Sequence, residues 1–538
     1  MKKIYLLATL GLAGMLTSCY DLNTEPQGSA ITEPERAESF ESDPSNIAAL
    51  SNGIYSNYTG FQLVYGENMD FGYPSIMLQL DCRTAGFINS NPTVYAWFFQ
   101  PTAYMDNTAN NAYVSIRWRT PYNTIYTCNQ LLATINPETD DNLSKYYRGQ
   151  AYGNRAFSYW VLAQLFQFNY VGHQNDLCVP IVTEENMETV GTEGAPRATV
   201  QEVYDLIISD LTTGIELMTG NPSAVRGSSR SDKRFMDVNV LYALRARTYL
   251  CMGEYAKAAA DAQTVISAGG FSPLSSNAAI GPGFNDLSAN NWIWGLYYTY
   301  ETTPGLYTLA GFLGSYCFGY AAAGEFKLIN SNLFNQISDS DPRKLWWISP
   351  SGNSNAQYYT AADGNAVEYL QGNGVPTYAV TKFAPYDNVL GQSVNESDVP
   401  IIRIEEMYYI LAEAKGLGSS IAEGVQVLEN FVNSYRWLNK TSPYTCQATT
   451  PEDFIDEIFF QRSVEFWGEG MTYYDIMRLG KPIDRRNSNW TSAANNTASF
   501  AYYIEPTNPV LISPIPTSEI DNNKQISESD QNPTGSAI

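Results

Sequence analysis

Charged side chains that could take part in acid–base chemistry recur between residues 450 and 480. Arg462 is followed by Glu465 and Glu469 within two helical turns, and Arg478 comes later in the same stretch. Two carboxyl groups one helical turn apart could act as a general acid and a general base. Buried arginines and glutamates at this spacing can also neutralise each other. We interpret Arg462, Glu465, Glu469 and Arg478 as a structural charge network, with a catalytic Glu465/Glu469 pair as the alternative.

The helix that carries these charges has clear boundaries in the sequence. Thr450 is a good N-cap, and apolar residues recur at helical spacing over 454–467, which predicts a buried face. Gly470 allows a tight turn before a second short helix over 473–479. Arg462 falls on or beside the buried face. We therefore expect it to be buried and to pair with one of the two glutamates or with an acid on another helix.

Helical hairpins of the same kind are predicted elsewhere in the chain. They lie near 112–168, 237–268, 401–438 and 450–480. Paired helices with small residues at their contacts and a glycine at the turn are the pattern of tetratricopeptide-like units. The predicted fold class is mainly α: about four tetratricopeptide-like hairpins, with long irregular loops and short strands forming a second face.

Two long stretches lack a sustained helical period. Residues 59–111 and 269–399 are rich in Gly, Asn and aromatic residues, and within the second one residues 291–300 are predicted to include a strand. Loops of this length inside a compact protein are usually functional. We expect these two stretches to form the ligand face.

The N-terminus has the pattern of an exported lipoprotein. Two lysines and an apolar run make residues 1–18 a signal peptide, and Leu-Thr-Ser-Cys at its end resembles a bacterial lipobox. Cys19 would then carry the lipid anchor, residues 19–45 would be a tether, and residues 46–538 would form one unit. The alternative is a plain signal peptide with an incidental cysteine. No later apolar run reaches eighteen residues, so lipid is the only predicted membrane attachment.

Composition excludes several classes of function. The formal net charge of −24 disfavours nucleic acid and anionic lipid as ligands. A single histidine, His173, disfavours multi-histidine metal sites, and the cysteine spacings match no zinc or redox motif. We therefore predict neither a metal nor a cofactor. The 39 Tyr, 23 Phe and 10 Trp predict instead a protein whose surface is rich in aromatic groups.

The segment QRxxEFxxEGxxxxDxxR over 461–478 resembles the C-terminal signature of the SusD/RagB family of nutrient-binding outer-membrane lipoproteins. Further segments match the family pattern in order along the chain: WxxxYxxIxxxN over 118–129, RA at 155–156, RxxE over 403–406, PIPxxEI over 514–520 and QNP over 531–533. The C-terminal segment differs slightly from the family pattern, because Thr534 stands before Gly535, whereas the family usually has the glycine directly after this motif. The resemblance covers nearly the whole mature chain.

The resemblance implies a function without covalent chemistry. It implies capture of a nutrient, with a glycan as the expected one, at the outer face of a Gram-negative outer membrane. The implied partner is a SusC-like TonB-dependent transporter, which the lipoprotein would cover like a lid. It also implies that the ligand face is built mainly from the insertion before the first helix pair, with help from the middle block.

Sugar recognition needs aromatic planes for stacking and amides or carboxylates for the hydroxyl groups. Residues of these types in the two loop-rich stretches are the candidate ligand-binding residues: Tyr95, Trp97, Phe98, Tyr104, Asn107, Asn110, Trp292 and Tyr297. Tyr95 and Trp97 alternate and would form a two-ring platform on one face of a strand. The alternative, weighed for Trp97 and for Trp294, is that these rings belong to the core.

Two further functions stay open at this point. A surface glycoside hydrolase would need two carboxylates roughly 5–10 Å apart in a cleft, and no pair is marked by the sequence. A peptide- or protein-binding member could use the same scaffold. We predict a binding protein and not an enzyme.

Overall fold

The computed structural model describes residues 47–91, 97–321, 323–491 and 498–537. Within these ranges the protein is mainly helical, with eight short strands, which confirms the predicted fold class. The longer helices are α1 (Ala48–Thr59), α2 (Tyr73–Arg83), α4 (Ala112–Thr134), α5 (Asn142–Phe166), α7 (Val200–Met218), α8 (Val238–Met252), α9 (Tyr255–Ser267), α13 (Ile404–Gly418), α14 (Ile421–Tyr435), α15 (Pro451–Glu465) and α16 (Thr472–Leu479). The shorter ones are α3 (Phe99–Ala103), α6 (Met187–Glu193), α10 (Leu309–Leu313), α11 (Ser331–Gln336), α12 (Ala366–Gly372) and α17 (Thr517–Asn522).

The predicted hairpins are the pairs α4–α5, α8–α9, α13–α14 and α15–α16. Side-chain caps fix where several of these helices begin. Asp141 accepts a hydrogen bond from the Ser144 amide at the start of α5, and Thr450 does the same for Asp453 at the start of α15. Gly253, at φ +74°, makes the turn between α8 and α9. Helix α7 joins the series by packing against α5 and α8.

Helix α2 differs from the sequence-based expectation. The stretch 59–111 was expected to carry no sustained helix, yet Tyr73–Arg83 is helical, with Pro74 in its first turn. Every residue of α2 is buried. Because no face of this helix meets water, its sequence lacks the alternation of apolar and polar residues by which helices are recognised.

The strands form four small antiparallel pairs. They are β1 (Phe87–Asn89) with β5 (Lys327–Ile329), β2 (Leu177–Pro180) with β3 (Arg197–Thr199), β4 (Trp292–Leu296) with β6 (Val399–Arg403), and β7 (Ile483–Asp484) with β8 (Tyr503–Ile504). Strand β4 confirms the strand predicted within 291–300. The β1–β5 pair joins the two loop-rich stretches, with Phe87 opposite Ile329. The two predicted halves of the ligand face therefore meet.

In the parts of the chain that the structure describes, every helix is too short or too polar to cross a lipid bilayer.

Candidate functional site

The charges at 450–480 lie inside the protein. Arg462 is buried and its Nε donates to Asp475 Oδ2 of α16 at 2.7 Å, so its partner is the acid on another helix. Arg478 donates to the same carboxylate at 2.8 Å through Nε and to Glu413 of α13 at 2.8 Å through Nη2. These contacts join α15, α16 and α13.

Glu465 lies at the centre of the network. Its fully buried carboxylate accepts hydrogen bonds from Arg436 at 2.8 Å, Arg403 at 3.0 Å and Arg343 at 3.1 Å. Burial opposes ionisation, but Arg436, Arg403 and Arg343 hold the pKa of the Glu465 carboxyl well below its usual range. A carboxylate surrounded in this way stays ionised and has no proton to give at neutral pH, which favours the structural interpretation.

Glu469 completes the same cluster. It accepts a hydrogen bond from Lys382 at 2.6 Å and another from Arg403 at 2.8 Å. Lys382 also donates to the carbonyl oxygens of Glu465 and Trp467, both at 3.0 Å, and burial lowers the pKa of this lysine to about 8. The two glutamates are thus bound by four cations from four separate positions in the chain.

The structure buries several residues that the sequence analysis assigned to the ligand face. Trp292 and Trp294 lie on β4, of which all five residues are buried, so their rings are core. Phe98 packs in the interior, and the buried Tyr104 donates to the Arg83 carbonyl with its ring 4.4 Å from the Arg83 guanidinium.

The remaining candidates are placed differently. Asn107 is buried, and neither atom of its amide has a hydrogen-bond partner within the described part of the chain. Asn110 is exposed, and Tyr297 is half-buried with its ring 5.1 Å from Arg230. Tyr95 and Cys19 lie outside the described residues, so the two-ring platform and the anchor stay predictions.

Trp97 is half-buried and belongs to a row of aromatic rings at the meeting point of the two loop-rich stretches. The ring centroids of Trp97 and Tyr320 are 6.4 Å apart, and those of Tyr320 and Tyr307 are 5.9 Å apart. Tyr307 in turn stacks on Phe61, with centroids 5.2 Å apart. All four rings are partly exposed. We call Phe61, Trp97, Tyr307 and Tyr320 the aromatic arc.

Buried phenylalanines support the aromatic arc from below. Phe312 stacks on Tyr320 at 4.8 Å, and Phe71 stacks on Phe312 at 5.3 Å. Phe98, expected as a ligand contact, instead packs edge-on against Phe312 at 5.1 Å. Phe98 therefore packs against Phe312, the ring on which Tyr320 stacks.

A compact loop over 61–70 forms one end of the arc. Asp70 closes it, because its Oδ2 accepts hydrogen bonds from the amides of Val64 at 2.7 Å and Tyr65 at 2.8 Å. Gln62 and Asn68 are paired by a side-chain hydrogen bond on the outside of this loop. The arc therefore combines apolar planes with nearby amides, which is the composition that sugar binding requires.

Trp97 was predicted from the sequence as a ligand-binding residue, whereas Phe61, Tyr307 and Tyr320 were not. All three lie in irregular segments, where no period separates exposed rings from buried ones. The only available signal was their position in the two loop-rich stretches. Over the described ranges, no group of three or more His, Cys, Asp or Glu side chains is arranged to hold a metal ion.

Family models account for most of the chain. The model described as the SusD family matches residues 254–534, which is more than half of the 538 residues. A second model, described as "Starch-binding associating with outer membrane", matches residues 81–250. The chain belongs to the SusD family. Proteins of this family bind carbohydrate and are associated with the outer membrane.

Individual relatives agree with this membership. SusD-like protein P38 of Formosa agariphila is 23% identical over 502 residues, covering 88% of this chain and 90% of the relative. A SusD-like carbohydrate binding protein from Bacteroides vulgatus ATCC 8482 has a similar crystal structure, with a TM-score of 0.71, 21% identity, and coverage of 92% and 99%. A SusD superfamily protein from Bacteroides thetaiotaomicron VPI-5482 gives 0.68 at 23% identity, with coverage of 91% and 99%. The two structures show that this SusD-family chain shares their fold.

Proposed function

We propose that this SusD-family protein captures a glycan on the aromatic arc. The observation that carries the proposal is the row of four partly exposed rings, Phe61, Tyr307, Tyr320 and Trp97, on a packed phenylalanine base. Rings held in this way need no reordering when a ligand arrives, so little conformational entropy is lost on binding. Sugar rings offer C–H faces to such planes, and amides at the edge orient the hydroxyl groups.

The expected strength of the site follows from the area of each ring. A bound sugar would cover about 50–80 Å² of one half-buried ring, which contributes ~1–2 kcal/mol at about 25 cal/mol per Å². Part of the sum over four rings is offset by the loss of translational and rotational freedom. Because the four rings together contribute only about 4–8 kcal/mol before that loss, we expect dissociation constants of about a millimolar or weaker for short glycans.

The setting of the site is the second part of the proposal. Cys19 would carry a lipid that holds the protein at the outer membrane, facing the cell exterior. Captured glycan would pass to a SusC-like TonB-dependent transporter. The family's association with the outer membrane and the lipobox resemblance at residues 16–19 support this setting.

Binding without catalysis is the third part. Relatives are described as carbohydrate binding proteins, and the two glutamates considered as a catalytic pair lie in a buried network of cations. An arc of rings on a rigid base accounts for capture without any bond being broken. The rival, a surface glycoside hydrolase, would release new reducing ends from its substrate.

One experiment tests capture and catalysis together. Wild-type protein is run in affinity gels containing amylopectin, xylan, mannan or laminarin, and the same polymers are incubated with it and assayed for reducing ends. We expect retardation by at least one polymer without release of reducing ends, and loss of retardation in Tyr307→Ala. Tyr503→Ala is the matched control, because this partly exposed ring lies on β8 against Arg486 and outside the arc. Retardation unchanged in Tyr307→Ala would contradict the arc, and released reducing ends would favour the hydrolase.

A further inference from the structure

A concave surface lies beside the first helix pair. It is a cleft of about 640 Å³ between α4, α6 and α17. Its volume falls within the range of about 300–1,000 Å³ that small-molecule sites occupy. Helix α4 contributes three aromatic residues four positions apart, Trp118, Tyr122 and Tyr126, which therefore follow one face of the helix.

The walls of the cleft are held in place by hydrogen bonds. The Thr517 amide donates to the Ala109 carbonyl at 2.9 Å, which fixes α17 near the start of α4. Asn523 donates to the Ala195 carbonyl at 2.8 Å, and Gln525 donates to Gly194 at 2.8 Å, which fix α17 against the end of α6. The cleft is thus formed before any ligand arrives.

The two sides of the cleft differ in chemistry. On the aromatic side, the buried Trp118 packs against Tyr122 with ring centroids 4.9 Å apart, and the Tyr122 hydroxyl donates to the Pro180 carbonyl at 2.7 Å, so Tyr122 is a fixed and partly exposed ring. Tyr126 is 56% exposed at the rim. The side formed by α17 presents Ser518, Glu519, Asn522 and Asn523. Rings facing hydroxyl, carboxylate and amide groups match the apolar faces and polar edges of a sugar chain.

The cleft is next to the aromatic arc. Arg119 lines the cleft and its Nη1 donates to the Val64 carbonyl at 3.1 Å, and Val64 belongs to the 61–70 loop that begins with Phe61 of the arc. Between them, Leu63 and Tyr65 of this loop are 54% and 47% exposed. A chain lying on the arc could cross the exposed tip of the loop and continue into the cleft.

We propose that the cleft is a second glycan subsite, which binds the continuation of a polysaccharide chain already held on the aromatic arc. The inference rests on the proposed function and narrows its ligand to long chains. A short oligosaccharide would occupy one subsite, whereas a polymer would occupy both and gain from the high effective concentration of its second segment.

The test compares a polymer with its own trimer. We would measure binding of the best-retarding polymer among amylopectin, xylan, mannan and laminarin, and of the corresponding trisaccharide, to the wild type, Tyr126→Ala, Asn522→Ala and Tyr307→Ala. Both cleft residues are exposed, so melting temperatures should be unchanged. We expect the cleft variants to bind the trisaccharide within twofold of the wild type and the polymer at least tenfold more weakly. Tyr307→Ala should weaken binding of the trisaccharide roughly tenfold.

The outcomes separate the two proposals. Polymer affinity unchanged in both cleft variants would overturn the second subsite and leave the arc intact. Cleft variants that lose polymer while Tyr307→Ala binds normally would retain glycan binding at the cleft but contradict the proposed arc, and therefore the two-subsite model. Cleft variants that keep polymer affinity but lose binding to a partner polypeptide would assign the cleft to protein recognition and also overturn the inference.

Discussion

Replacing Glu465 with glutamine should destabilise the protein through one unbalanced charge. The cluster around it contains four cations and four anions, all buried: Arg343, Arg403, Arg436 and Lys382 with Asp341, Glu405, Glu465 and Glu469. Glu465→Gln keeps the shape of the side chain but leaves one positive charge uncompensated. Breaking a buried charge pair costs about 3–5 kcal/mol.

The assay is thermal unfolding followed by circular dichroism. With an unfolding entropy of about 2.1 cal/mol/K per residue, a chain of this length gives ~1 kcal/mol per degree, so Tm should fall by about 3–5 °C. Asp456→Asn is the matched control, because Asp456 lies on the same helix but is 72% exposed beside Lys481, and its Tm should change by less than about 1 °C. A Glu465→Gln protein that melts like the wild type would refute the structural account of this cluster.

Three further predictions concern other parts of the molecule. Arg462→Ala should cost about 3–5 kcal/mol, because Arg478 is then shared by the buried carboxylates Asp475 and Glu413 and one negative charge is left unbalanced, and urea unfolding would measure it. Cys19→Ala should release the protein from the membrane fraction, and retention after a carbonate and high-salt wash would count against the anchor. Burial raises the pKa of Asp398 to about 6 despite its pairing with Arg230, so the folded protein binds a proton that the unfolded chain does not between about pH 4 and 6. Stability should therefore fall by about 3 kcal/mol as pH rises through that window, and Asp398→Asn should lack this fall.

The amphipathic helices could be predicted because the spacing of their apolar residues indicates which face is buried. In α15, apolar residues recur at helical spacing, Thr450 marks its start and Gly470 makes the turn before α16, so both the hairpin and the burial of Arg462 were foreseeable. Helix α2 was missed because burial on every side removes that period. The partners of Glu465 come from 343, 403 and 436, and nothing local in the sequence connects those positions.

The site was predictable only to the level of the segments that form it. Trp292 and Trp97 both lie in aromatic-rich segments, yet one is core on β4 and the other is half-exposed. Which ring reaches water depends on long-range pairing, such as the contact of Trp97 with Tyr320 more than two hundred residues away. The composition of a segment shows how many aromatic rings it contains but not which of them are buried.

Titration of Trp97→Ala with the best-binding glycan tests the central claim most directly. Calorimetry and a melting curve should be recorded side by side for this variant, the wild type and Tyr503→Ala. Losing one ring should weaken glycan affinity roughly tenfold, corresponding to ~1.4 kcal/mol, while Tm stays within about 2 °C because Trp97 is only half-buried. Unchanged affinity would place the site away from the aromatic arc, and a collapse in stability would show that Trp97 belongs to the core.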